Sequence, residues 1–195
     1  MHLIPGTLVL ENEKARLEPL AQKHFDTLWE IAQEKELWRF TSVKVNSEAD
    51  FKRYFDTALD ERTKNVSYPF AIFDKTKNAY AGSTRYGNIV PEHKRLEIGW
   101  TWYGSAFQRT GLNRYCKLLL LDHAFDVLGM NRVELKTSLT NNKSQQAMRN
   151  IGAVQEGILR RHMINEDGEL RDSVYFSFIR EEWQDTRATF FKNYL

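Results

Sequence analysis

Cysteine is the scarcest residue type that bears chemistry here: the 195-residue chain has one, Cys116. A lone cysteine excludes an intramolecular disulfide and any cysteine-based zinc site; no metal is expected. It also fits a reducing, cytoplasmic setting. Long hydrophobic runs are missing too. No stretch approaches the roughly 20 apolar residues that span a bilayer, so no membrane partner is expected. The N-terminal MHLIPGTLVLENEK has too short an apolar run, and no basic start, to read as a signal peptide. Net charge is small: 28 Lys+Arg against 26 Asp+Glu leave a formal +2, too little to attract nucleic acid by bulk electrostatics. There is no internal repeat, low-complexity segment or linker, and no G-x-x-x-x-G-K-[ST] sequence. The composition, 42% hydrophobic and 28% charged, is that of an ordinary globular protein. The length suits one domain, residues 1–195, with a core from about residue 8 to 183 and a helical tail over 180–195.

The apolar periodicity divides the chain into elements. Leu8 to Leu20 reads as a first strand or hairpin broken by Glu11–Lys14. His24–Trp38 is an amphipathic helix, and Ser47 with Asp50 opens a second one bearing Phe51, Tyr54, Phe55, Ala58 and Leu59 on one face. Strands are expected over Pro69–Phe73 and Ala79–Ile89, joined by a polar turn, then over Arg95–Trp102. A long helix follows and stops at Gly129. A strand over Asn131–Ser138, a short helix over Asn141–Ile151, two strands (Gly157–Ile164 and Arg171–Ile179) and a closing helix with aromatic Phe190, Phe191 and Tyr194 complete the chain. These last aromatics are candidates to pack on the domain or on a second subunit of a homodimer. The order predicts an α+β sandwich with a largely antiparallel sheet.

The richest stretch is Leu96 to Phe125, LEIGWTWYGSAFQRTGLNRYCKLLLLDHAF. A strand interrupted at Gly99 suggests a bulge. The loop Tyr103–Gly111 leads into a helix with apolar residues at helical spacing, capped by Thr110 or Asn113. Such a helix start offers unpaired N–H groups and partial positive charge, the ingredients of a phosphate site. Gly111 permits close backbone approach and Arg109 adds a full charge. A glycine before an ordinary buried helix is the plainer alternative.

Gln108-Arg109-Thr110-Gly111-Leu112-Asn113 resembles the Q/R-x-x-G-x-G/A pyrophosphate loop of the GNAT superfamily of acetyl-CoA-dependent N-acetyltransferases. Glu97 to Trp102 resembles that superfamily's split central strand. Asn141-Asn142-Lys143-Ser144, Asn150-Ile151-Gly152-Ala153 and Gln155-Glu156-Gly157 resemble the N-x-x-S, L-G-F and E-G run of its Rim-type branch, which includes enzymes that modify ribosomal protein N-termini. The resemblance runs from about Leu8 to Trp183. It departs at Asn113, where Gly or Ala is usual, at Ala153, where Phe is usual, and at Met148, where many members carry a tyrosine acid.

The resemblance implies the GNAT fold, with a central sheet splayed in the middle and flanked by helices, and direct acetyl transfer from acetyl-CoA to a primary amine. It implies that acetyl-CoA is held by Gln108, Arg109, Thr110, Gly111, Leu112, Asn113, Asn141, Lys143 and Ser144. The strand residues Trp100, Thr101 and Trp102 would pair with the pantetheine arm, although core packing is the plainer reading of the tryptophans. Glu97 and Glu156 compete for the role of base, and Ser144 is the candidate acid. Either glutamate also reads as a surface charge, and a serine in a first helical turn is ordinary. Trp38, Phe40, Arg85, Tyr86 and Arg161, with His93 and His162, are candidates for the acceptor pocket. The acceptor is a protein N-terminus or a small-molecule amine. The rival functions are a CoA-sensing or protein-interaction module without catalysis and, more remotely, a nucleotide-binding domain of another fold. Cys116, on the helix's apolar face, is expected to be buried rather than nucleophilic.

Overall fold

In the computed structural model, which describes residues 3–195, the expected elements assemble around one eight-stranded sheet. In chain order they are β1 (Leu10–Glu11), β2 (Ala15–Pro19), α1 (Phe25–Ala32), α2 (Glu48–Thr63), β3 (Tyr68–Asp74), β4 (Ala79–Val90), β5 (Arg95–Tyr103), α3 (Leu112–Asp122), β6 (Arg132–Ser138), α4 (Asn142–Arg149), β7 (Val154–Ile164), β8 (Leu170–Ile179) and α5 (Arg180–Phe190). The strand order is β1-β2-β3-β4-β5-β6-β8-β7. Every neighbouring pair is antiparallel except β5 with β6, which is parallel. This is the mixed, mostly antiparallel α+β arrangement of the GNAT fold. Among the described residues no helix is long and apolar enough to cross a membrane.

Strand alternation sends side chains to two sides. On one side, Leu96, Ile98, Val133, Leu135, Val174 and Phe176 meet α3 and α5, where Cys116, Leu120 and Trp183 are buried. On the other side, Ala71 and Trp102 meet Leu28 from α1, Phe51 and Phe55 from α2, and Trp38. Each buried Val, Leu, Ile or Phe among these contributes about 1.5–3 kcal/mol by leaving water. Over β6 and β8 this second face changes character: Glu134, Lys136, Ser138, Ser173, Tyr175 and Ser177 lie on it by the pairing register.

The parallel pair positions the site. It joins only Arg95–Glu97 to Arg132–Glu134. Beyond it, β5 and β6 run on without pairing to one another, so the sheet splays. A bulge sharpens the divergence: Arg85 faces Gly99 and Ser83 faces Trp102, which leaves Trp100 and Thr101 opposite Thr84 alone. Trp100 takes the left-handed conformation, φ 49°, at this bulge.

Several boundaries differ from the periodicity, each for a tertiary reason. The first helix ends at Ala32, not Trp38, because Trp38 Nε1 donates to the Ala32 carbonyl at 2.8 Å and buries the indole. The long helix does reach its expected stop at Gly129, passing Asp122 as a π turn over His123–Val127. The closing helix stops at Phe190. Phe191 is fully buried against Trp183, with ring centroids 5.7 Å apart, and Tyr194 packs on Tyr115. These two aromatics therefore pack on their own chain. The Ser47 cap is present as expected, its hydroxyl accepting from the Asp50 N–H at 3.2 Å.

Candidate active site

The loop after β5 ends at the start of α3. Arg109 and Gly111 are both left-handed, φ 61° and 89°. This twist turns successive N–H groups outward. Among the described residues, the N–H groups of Arg109, Thr110, Gly111 and Asn113 meet no backbone acceptor, and that of Leu112 reaches only Thr110 Oγ1, at 3.4 Å. A row of free donors at the positive end of an eleven-residue helix suits an anion. The loop is braced from within: Gln108 Nε2 donates to the Tyr103 carbonyl at 2.8 Å and Thr110 Oγ1 to the Phe107 carbonyl at 2.9 Å.

The start of α4 closes on the same loop. Asn141 Oδ1 accepts from the Ser144 N–H at 3.1 Å, a helix cap. Lys143 Nζ donates to Gln108 Oε1 at 2.5 Å. The two motif segments, 35 residues apart, thus meet at the wide end of the splay. The Ser144 side chain, half-buried, shows no hydrogen bond of its own among the described residues, only its backbone N–H being engaged. Met148 packs against the main core.

Glu97 stands at the point where the strands part. It is 3% exposed and accepts from Asn88 Nδ2 at 2.7 Å and Lys136 Nζ at 2.9 Å. The Trp100 ring lies in front of it, over Gly87, where an added Cβ would come within 2.3 Å of the indole. Arg85 stacks on Trp100 and Tyr54 and pairs with Glu61 at 3.0 Å. Glu156, by contrast, is bound by both Arg132 Nη atoms and by Ser177 Oγ, at the far end of β6 from Ser144. The hydrogen-bonded Arg132 guanidinium holds its carboxyl below the usual range against the opposing effect of partial burial.

The remaining candidates separate. Trp102 and Trp38 are buried against each other, 5.6 Å between centroids. Tyr86 turns to the α3 side, its hydroxyl donating to the Leu120 carbonyl at 2.6 Å; complete burial raises its pKa well above that of a free phenol. Phe40 lines an open cavity of about 670 Å³ with Arg39, Lys44, Asn46, Thr140, Asp167 and Glu169. Arg161 is an exposed, left-handed residue on β7, φ 49°. His93 lies in the exposed turn before β5. Cys116 is fully buried and burial pushes its thiol up to about 12, so it supplies no thiolate at neutral pH.

Sequence reasoning missed Lys117, which is 6% exposed and donates to Thr101 Oγ1 at 3.2 Å beside the bulge. Burial lowers it to about 8. The available signal was a lysine set in the run CKLLLL. It also missed Asn88, Lys136 and Arg171, which meet Glu97's surroundings only through strand register.

A family model for the acetyltransferase (GNAT) domain matches residues 14–154. The "Putative ribosomal N-acetyltransferase YdaF" of Bacillus subtilis (strain 168) is 30% identical over 97 residues, 50% of this chain and 52% of that protein. The match thus spans about half of that relative. A GCN5-related N-acetyltransferase from Brucella melitensis superposes with a TM-score of 0.88 at 28% identity, over 96% of this chain and 86% of that one. The ribosomal L7/L12 alpha-N-protein acetyltransferase RimL shares the fold, with a TM-score of 0.77 at 18% identity over 89% and 94% of the two chains.

Proposed function

Because this chain belongs to the GNAT acetyltransferase family, we propose that it moves the acetyl group of acetyl-CoA directly to a primary amine, on a protein N-terminus or a small molecule. The observation that carries this reading is the splay between β5 and β6, opening beside a row of free N–H groups. An unpaired strand edge can accept an extended amide-bearing arm as a further strand, and the N–H row suits a pyrophosphate. Gly111 supports the fit, since the left-handed turn that aims those donors is one glycine adopts without strain. Lys143 and Arg109 supply positive charge nearby, and acetyl-CoA brings an activated thioester carbonyl.

The chain's own groups then have distinct tasks. An α-amine has a pKa of about 7.7–8.0 and an alkylamine about 10.4, so a base must take a proton before the nitrogen can attack. Both glutamates have a cationic partner, Lys136 for Glu97 and Arg132 for Glu156, and Glu97 is favoured by position, since it lies at the splay whereas Glu156 lies at the far end of β6. A backbone N–H of the bulge is the group to polarise the thioester carbonyl. Ser144, with an unengaged side chain beside the loop, is the candidate to hydrogen-bond the departing sulfur. Met148 in place of a tyrosine favours a second reading, a module that binds CoA without turnover.

The test is acetyl-CoA binding by calorimetry, followed by thiol release against a pooled library of amines and N-terminal peptides. Binding with release supports transfer. Binding without release supports the second reading, and absence of binding overturns both.

A further inference from the structure

Buried polar atoms nearly always find partners, so those that do not are informative. Among the described residues, Tyr103 Oη and Asn165 Oδ1 are buried and meet none, and neither do four others, Tyr54 Oη, Arg85 Nε, Trp102 Nε1 and Arg171 Nε. All four can donate, and all belong to the side of the sheet that carries Glu97. Such a set is short of acceptor oxygens.

The charges narrow the point. Arg85 already has Glu61 at 3.0 Å. Arg171 has no counter-ion within bonding distance among the described residues. The carboxylate whose field reaches it is Glu97, and Glu97 is already bonded to Lys136 and Asn88. His162, nearby, is driven toward its neutral form by burial and by the charges of Lys136 and Arg171. Lys136 balances Glu97, and Arg171 is left as surplus positive charge over the cleft.

The backbone holds this arrangement deliberately. On β7, Leu159 faces Ser173 and Met163 faces Arg171, so three residues oppose Asp172 alone. The left-handed Arg161 at this bulge donates its N–H to Asp172 Oδ1 at 2.6 Å. The turn beyond it is clasped to the α1–α2 loop. The Glu166 N–H donates to the Ser42 carbonyl at 3.0 Å, the Lys44 N–H to Glu166 Oε2 at 2.8 Å, and Lys44 Nζ lies 3.3 Å from Asp167. Arg171 therefore sits at the start of β8, one residue pair from the turn that is clasped to the α1–α2 loop.

We propose that the acceptor carries a carboxylate close to the amine it offers, and that Arg171 receives this carboxylate. The inference rests on the acetyl-transfer reading. A guanidinium matches a carboxylate in shape as well as charge, and a carboxylate bound here would supply the missing charge and an acceptor for Arg171. The carboxylate comes either from a free α-amino acid or from an acidic side chain near a peptide N-terminus.

The experiment uses the full chain and paired acceptors: amino acids with their α-amides, and peptides with Glu or Gln at the second position. The carboxylate-bearing member should show kcat/KM higher on the order of ten- to a hundred-fold, the range of a charge-assisted hydrogen bond. Whichever pair shows the gap identifies the source. Arg171→Met should erase that gap through KM while acetyl-CoA affinity, read by calorimetry, is kept; Arg171→Lys should retain part of it. Equal turnover of both members of every pair would overturn the proposal and leave acetyl transfer standing. Turnover of no acceptor would overturn both. The wild-type comparison decides the matter even if a variant fails to fold.

Discussion

Replacing Lys117 by methionine should make the protein more stable at neutral pH, and the gain should disappear in alkali. Burial lowers the folded-state pKa of Lys117 from 10.5 to about 8. Holding the ammonium in the folded interior thus costs about 3 kcal/mol relative to the unfolded chain, at roughly 1.4 kcal/mol per unit. The sign follows from proton linkage. Below pH 8 both states hold the proton and the full cost is present. As pH rises from about 8 to 10.5, the unfolded chain keeps a proton that the folded chain has lost, so the wild type gains stability. Methionine removes the charge at similar side-chain length but forfeits the hydrogen bond to Thr101 Oγ1, worth about 1 kcal/mol. Thr101 keeps its partner Thr84 at 2.7 Å. The variant should therefore be more stable by about 2 kcal/mol at pH 7 and less stable by about 1 kcal/mol above pH 10.5. Urea unfolding of both proteins across that range measures the difference; with a slope of about 2 kcal/mol/M the midpoint rises by about 1 M at pH 7. Comparing variant with wild type cancels the titration of every other lysine and tyrosine. A difference that stays constant from pH 7 to 10.5 would refute the desolvated ammonium, and a variant less stable at pH 7 would show that the charge has a partner.

Gly111→Ala must hold a Cβ at φ 89°, costing about 1–2 kcal/mol of stability; Gly111→Asp should in addition weaken acetyl-CoA binding, and unchanged affinity by calorimetry would refute the loop assignment. Glu97→Gln should lower kcat/KM by about 10²–10⁴ with acetyl-CoA affinity intact, the range for a general base, whereas Glu156→Gln should stay within a few-fold; the reverse order would move the base to Glu156. Cys116, buried with its thiol pushed up to about 12, should resist a thiol reagent at pH 8 in the native protein and react fully in denaturant; fast native labelling would contradict its burial.

The sequence was most legible where the signal is local. The Ser47 cap, Gly111 at the head of α3, the polar hairpin turns and each motif segment depend on residues within a few positions of each other, and the order of the segments is read directly along the chain. These were sufficient for the fold class, the family and the loop that opens the helix. Helix ends were less legible because distant side chains set them: Trp38 folds back on the Ala32 carbonyl, and Phe191 leaves α5 to bury itself against Trp183.

The candidate chemistry divides in the same way. The amino-acid sequence by itself determined that a candidate anion-binding loop, a glycine-broken strand and an N-x-x-S segment occur in acetyltransferase order. Tertiary structure alone decided which charges share a cleft. Glu97 meets Lys136, and Arg171 bonds no counter-ion among the described residues, because a three-residue parallel pairing sets the register of β5 against β6 and an antiparallel pairing sets that of β6 against β8. A one-residue slip in either would turn these side chains to the other face. Periodicity indicates that a strand has two faces, but which residues stand opposite one another is a property of the paired sheet.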